Sequence, residues 1–315
     1  MIAQALLTID WQAPWFKPFE PWGAEVLARW SMGQSLSQAL NGAAQNAGLH
    51  SSAALPVSFV PQEALPKGVA YETFIEQTAQ VPTREHPHDF FNAMSWCRTP
   101  HTKAFIGAAQ AQAIERQQAA CLTSAMTSPE TVSAVSPVSP VYLKGSNPRS
   151  ESVRGVLRDA LTLIDESGVF LSCSDAMWTA LCERRWTDLF VKESAGWQAA
   201  QVHLVGHALL EKLLRPYKSI TAQVLRVTRP GVSPGPVSHA QWDGAIKAAL
   251  TEALSEAMQW PSPKPLGHKP FQVLPLMGIP GWDPGQGAPG YYEDTGVFRP
   301  ASVPGLEIKV LKSKL

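Results

Sequence analysis

A chain of 315 residues is long enough for one large domain or two smaller ones, either of which buries a sizeable core. Its 26 Lys and Arg balance 26 Asp and Glu, which excludes the strongly basic surface on which non-specific nucleic-acid binding depends. No apolar run in it approaches the ~20 residues of a membrane-spanning helix, so no membrane partner is expected.

Proline and glycine number 27 and 22, which points to long irregular connections, and 11 tryptophans point to a core or cleft rich in large rings. The four cysteines, Cys97, Cys121, Cys173 and Cys182, form no C-x-x-C pair and no zinc-finger spacing, as expected of a reduced, cytoplasmic setting. The first ten residues have no basic region before their apolar run and do not read as a signal peptide.

In chain order, residues 8–23 carry too many prolines for a helix or a central strand and are expected to form an extended arm pinned by Trp11, Trp15, Phe16, Phe19 and Trp22. One or two helices follow over 24–47, with Gly33 and Gly48 as stops. A short strand at Val57–Val60, ended by Pro61, and a helix at Tyr71–Gln80 lead to the richest stretch of the chain, Arg84–Lys103. There Pro87 suits the first turn of one helix, and Thr99-Pro100 reads as N-cap and first residue of a second. Helical spacing places His88, Asn92 and Ser95 on one stripe and Phe90, Met94 and Cys97 on another. A buried polar stripe needs partners, since each unsatisfied group costs roughly 1–3 kcal/mol. These side chains therefore tie the helix to other segments or line a cavity.

An Ala- and Gln-rich helix is expected over about 100–122. The Ser/Pro-rich stretch 123–150 has little apolar surface with which to offset the entropy of ordering and reads as a flexible insertion inside one domain spanning 1–315. Leu161–Ile164 and Val169–Ser172 look like strands flanking a turn at Asp165-Glu-Ser-Gly168, a small antiparallel hairpin in which Asp165 caps the turn. The same Asp165 and Glu166 are alternatively an acid/base or ligand pair.

Helices are expected at 174–184 behind Ser174, at Trp186–Ser194, and over about 195–215. In the last, His203, His207 and Glu211 share one face. The rise of ~1.5 Å per residue puts the first and third about 12 Å apart, so one metal cannot take all three. A His203/His207 pair would need further ligands from elsewhere, such as His88 or Asp165, and the sequence by itself assigns no metal. Ser219–Val227 reads as a strand or a last helical turn, and 239–259 as a helix. Residues 261–305 form a Pro/Gly/aromatic loop whose Trp282, Tyr291, Tyr292 and Phe298 must lie against the body.

Several of these segments, His88-Asp-Phe-Phe-Asn-Ala, Arg158-Asp-Ala-Leu-Thr-Leu-Ile-Asp-Glu-Ser-Gly168, Gly206-His-Ala-Leu-Leu-Glu-Lys212 and the tail from Pro280-Gly-Trp to Phe298-Arg-Pro, resemble the proteobacterial family known as domain of unknown function 3025. The opening Ile9-Asp-Trp and the Phe59-Val-Pro-Gln segment are similar as well. The resemblance implies a single inherited unit in a bacterial, intracellular setting and no defined activity. His88, Asp89, Asn92, Arg158, Asp159, Asp165, Glu166, His207 and Glu211 fall in its motifs; His203 does not.

The expected architecture is a helix-rich α+β single domain with one small antiparallel hairpin and Pro/Trp-rich extended arms. Function stays open between three classes. A hydrolase-type enzyme would gather His88, Asp89, Asn92, Arg158, Asp165, Glu166, His207 and Glu211 in one cleft, with His as base and Arg or a metal stabilising charge. A small-molecule-binding protein would use Trp-rich walls, and a structural or interaction protein would use the same polar groups as struts. No phosphate loop, nucleophile elbow, dinucleotide fingerprint or H-E-x-x-H is present, so no cofactor is assigned. The sequence is silent on oligomeric state.

Overall fold

The computed structural model describes residues 2–127, 155–229, 237–258 and 271–301. The chain is helix-rich α+β. Its helices are α1 Ile2–Leu7, α2 Glu20–Ser31, α3 Leu36–Ala47, α4 Tyr71–Thr78, α5 Pro87–Arg98, α6 Pro100–Thr127, α7 Val156–Ser167, α8 Asp175–Cys182, α9 His207–Lys212 and α10 His239–Met258. Strands β1 Ser58–Pro61 and β2 Gln80–Thr83 pair in parallel as a two-stranded ribbon. Strands β3 Gly168–Ser172, β4 Gln201–Leu204, β5 Thr221–Arg226 and β6 Gln272–Pro275 form a mixed sheet of order β4-β3-β5-β6. No described helix is long and apolar enough to cross a membrane.

The expected hairpin over 161–172 is not there. Leu157, Ala160, Leu161 and Ile164 recur at i, i+3, i+4 and i+7, the period of a helix face, and α7 runs directly into β3 at Ser167–Gly168. Asp165 is therefore not a turn cap; with Glu166 it occupies the last turn of α7. The helix expected over 195–215 also gives way. β4 pairs antiparallel with β3, Val205 and Gly206 turn the chain, and only His207–Lys212 is helical. His203 thus lies on a strand opposite Phe170 and shares no helix face with His207 or Glu211.

At the N-terminus the prolines start helical turns instead of holding an extended arm. Pro18 lies in a 3-10 turn at Lys17–Phe19 and Pro21 in the first turn of α2, where a missing N–H costs nothing. The aromatic anchors do pack: Phe16 stacks on Phe91 of α5 with ring centres 5.6 Å apart. Pro61 and Pro82 sit inside β1 and β2, which a two-stranded ribbon tolerates because each strand has an unpaired edge. Helix α6 continues to Thr127, so the Ser/Pro-rich stretch begins inside it; 128–150 lies outside the described residues, as do 261–270 and 302–305 of the C-terminal loop. The described part of that loop includes β6 and lays Tyr291 and Phe298 into the core, with Trp282 against Trp15.

The mixed sheet separates two apolar clusters, as its two-residue period requires. Val169, Leu171, Ala222, Val224 and Leu204 face a large cluster that includes α2, α3 and α5. Phe170, Leu225 and Val205 face a smaller one built with α6, α7 and α10. Helix α5 is buried along almost its full length, and Ser95 donates to the Val205 carbonyl (2.9 Å), tying it to the turn that starts α9. Helix α6 is pinned at its N-terminus by Asp243 of α10, which is fully buried and accepts from the backbone N–H groups of His101 (2.7 Å) and Thr102 (3.0 Å). The Thr99 hydroxyl, the expected cap, donates back to Ser95 instead.

Candidate active site

The end of α7, the start of α9 and the first turns of α5 meet where β3 and β4 join their helices. Two glycines permit the approach. A Cβ on Gly206 would stand 2.5 Å from the Gly168 nitrogen and 2.6 Å from the Ser167 Cα, and one on Gly168 would stand 2.3 Å from the Ile164 carbonyl. With no Cβ there, the Gly168 carbonyl accepts from the N–H groups of both Val205 (3.0 Å) and Gly206 (2.9 Å). His207, the next residue, is thereby held over the last turn of α7.

Three side chains from three elements converge. His88 of α5 and His207 of α9 lie edge to face with ring centres 4.4 Å apart. Glu166 of α7 spans both, its Oε2 3.7 Å from His88 Nε2 and its Oε1 3.8 Å from His207 Nε2. Behind the rings stand two more carboxylates, Asp89 Oδ1 at 3.3 Å from His88 Nδ1 and Asp165 Oδ2 at 3.8 Å from His207 Nδ1. His207 is buried, and its Nδ1 has no hydrogen-bond partner among the described residues.

Each outer carboxylate has its own cation. Asp89 accepts from the Arg84 backbone N–H (2.7 Å), from its Nε (3.0 Å) and from its Nη2 (2.8 Å), a fork that fixes the carboxylate plane. Asp165 is bonded to Lys103 of α6, whose side chain is 5% exposed. Tyr71 of α4 completes the wall and accepts from Asn92 Nδ2 (3.1 Å). All of these groups but Lys103, which stands behind Asp165, line a cleft of about 440 Å³, within the roughly 300–1,000 Å³ of small-molecule sites.

The environment tunes the two imidazoles in opposite senses. The hydrogen bond to Asp89 and the neighbouring Glu166 raise His88 to about 9, against a smaller opposing effect of burial. Desolvation lowers His207 to about 4, although Asp165 pulls it the other way. Burial disfavours the charged forms of Asp89 and Asp165, but His88 and Arg84 in the first case and Lys103 in the second outweigh it and hold both carboxylates below their ordinary range. His88 likewise lowers Glu166. Desolvation and the nearby Asp89 raise the Tyr71 hydroxyl well above its ordinary value.

Of the residues expected in the cleft, His88, Asp89, Asn92, Asp165, Glu166 and His207 are brought together. Arg158 is not: it lies two turns earlier on α7 with its guanidinium toward Gln117 of α6 (3.4 Å). Glu211 does not line the cleft and stands 3.9 Å from His86 at the N-cap of α5. Lys103, Tyr71 and Arg84 were not singled out from the sequence as site residues. Lys103 had a legible signal, because a cation in the first turn of a helix opposes the macrodipole and calls for an acidic partner.

These elements define an α+β protein whose fold gathers two histidines and a shared glutamate at the floor of a polar cleft. The chain belongs to the family described as "Protein of unknown function (DUF3025)", whose model matches residues 57–133 and 142–302. No curated protein and no solved structure matches it.

Proposed function

We propose that the cleft is a hydrolase-type active site with His88, Glu166 and His207 as its reacting centre. The supporting observation is the convergence of two imidazoles and one carboxylate, from helices far apart in sequence, on a single point at the base of an open cleft. Hydrolysis needs a proton acceptor for water and a counter-charge for the developing oxyanion. The cleft offers imidazole and carboxylate for the first. Arg84 takes the charge-stabilising place that Arg158 does not reach, and the Tyr71–Asn92 pair is placed to orient a substrate. The same reading takes the chain as one domain working in a bacterial cytoplasm.

The test is a panel of chromogenic carboxylic esters, phosphoesters and amides with the purified chain. Turnover should fall at least ~10²-fold in H207N and in E166Q, with far-ultraviolet circular dichroism unchanged. Turnover that both variants leave intact would place the chemistry elsewhere. A non-catalytic binding site is the second reading, favoured by the cleft's volume; ligand retained by protein that turns over nothing in the panel would support it.

A further inference from the structure

We infer that His88, Glu166 and His207 bind one divalent transition-metal ion of the zinc class, held by the two Nε2 atoms and the Glu166 carboxylate. The ligand atoms of the three residues all lie within 4.8 Å of one another. A tetrahedral site with bonds of ~2.0–2.2 Å sets its ligands roughly 3.3–3.6 Å apart. The 3.7 Å from Glu166 Oε2 to His88 Nε2 and the 3.8 Å from its Oε1 to His207 Nε2 are a few tenths wider than that and too long for direct hydrogen bonds, so the carboxylate turns one oxygen to each imidazole across a common centre.

The orientation of both rings supports the same assignment. Each imidazole presents Nε2 to Glu166 and Nδ1 to an aspartate, Asp89 behind His88 and Asp165 behind His207. At His88, whose Nδ1 is hydrogen-bonded to Asp89, this is the arrangement in which a carboxylate behind a liganding histidine fixes its tautomer and raises its basicity; at His207 the carboxylate stands in the same place at 3.8 Å. Each of these aspartates is itself held, Asp89 by Arg84 and Asp165 by Lys103, so the backing groups are positioned before any ion arrives. His207 Nδ1 is buried with no hydrogen-bond partner among the described residues, and its nearest carboxylate is Asp165 at 3.8 Å, so a small shift of that ring would bring the backing bond into range. Two histidines and a carboxylate suit zinc, cobalt, nickel or iron(II) better than calcium or magnesium, which prefer all-oxygen shells. With Glu166 42% exposed and His88 30% exposed, the ion would face the cleft with positions free for water or substrate.

This inference rests on the reading of the cleft as the working site, but binding is measured apart from turnover. Chelator-treated protein titrated with zinc chloride at pH 7.5 should take up one ion per chain. Cobalt(II) in its place should give visible d–d absorption. H88N, H207N and E166Q should each weaken uptake at least ~10-fold, and D89N, which alters the backing of His88 and its anchor to Arg84 but no proposed ligand, by ~10-fold or more. H50Q, at an exposed histidine elsewhere on the surface, should leave uptake unchanged. Circular dichroism on each variant separates lost binding from lost folding. Folded wild-type protein that takes up no stoichiometric ion, or uptake that survives in both H207N and E166Q, would overturn the inference. Turnover without a metal would then leave the hydrolase reading standing, and uptake without turnover would do the reverse.

Discussion

His203 and His207 stand four residues apart, both buried, both with a ring nitrogen lacking a hydrogen-bond partner among the described residues, and both lowered to about 4 chiefly by desolvation. Their surroundings differ in kind. His203 lies on β4 against the Trp242 ring, centres 4.3 Å apart, inside the α10 side of the sheet, where the charge that bears on it among the described residues is that of Arg98. His207, one turn of chain later, faces two carboxylates and a second imidazole. Burial by itself makes a histidine a poor base and nothing more; it is the convergence of charged groups from other elements that makes one a candidate for chemistry. A histidine read as a ligand from helical spacing alone, as His203 can be, meets the first condition and not the second.

The sharpest way to break this contrast is to strip the His207 side of its charge balance. Asp165→Asn leaves Lys103 buried without its counter-charge and should cost about 3–5 kcal/mol in chemical denaturation. The double change with Lys103→Met should recover much of that loss. The His203 side should respond to pH instead. Its proton affinity is lower folded than unfolded, so the stability it lends is complete above pH ~6.5 and is lost as pH falls toward 4, by up to about 3 kcal/mol. His207 titrates in the same sense, so the wild-type acid limb carries both. His203→Phe should flatten that limb, as followed by thermal melting between pH 7 and 4, while leaving metal uptake at pH 7.5 unchanged.

Gly206→Ala strikes the turn between the two histidines. It forces a Cβ onto the backbone of Ser167 and Gly168 and should cost about 2–3 kcal/mol by denaturation and loosen the cleft with it. The smallest expected effect belongs to the cleft wall. Tyr71→Phe removes the acceptor for Asn92 and should cost roughly 1 kcal/mol in stability, with any larger change confined to ligand or substrate affinity.

The helical body was legible where periodicity was strong and caps were explicit: α5 behind Pro87, α8 behind Ser174 and α10 along Trp242, Ile246, Leu250 and Leu254. It was not legible where pairing across the sheet overrides local preference. Four residues of β4 carry too short an alternation to announce a strand, and only the ladder to β3 makes them one. Leu161–Ile164 combines residues suited to strand and helix alike, and the Asp-Glu-Ser-Gly that follows is turn-like, so the apolar face of α7 was readable but outweighed. For the site, the polar stripe of α5 named three side chains with real partners: His88 in the cleft, Asn92 on Tyr71 and Ser95 on Val205. What the sequence lacked was distance. Arg158 and Glu211 share motifs with the residues that converge, yet two turns of α7 separate Arg158 from Glu166, and Glu211 faces His86.

The bond from Ser95 to the Val205 carbonyl joins residues 110 positions apart, and those from Thr102 to Asp243 span 141. The floor of the cleft is thus assembled from pieces that meet only after long loops have closed, a step whose entropy must be met before any of these contacts returns stability. The cleft should accordingly form late on the folding pathway, behind the local helices. A chain truncated before Asp243 would keep all three converging side chains and Lys103 itself, but lose the clamp that seats α6 and so holds that lysine against Asp165.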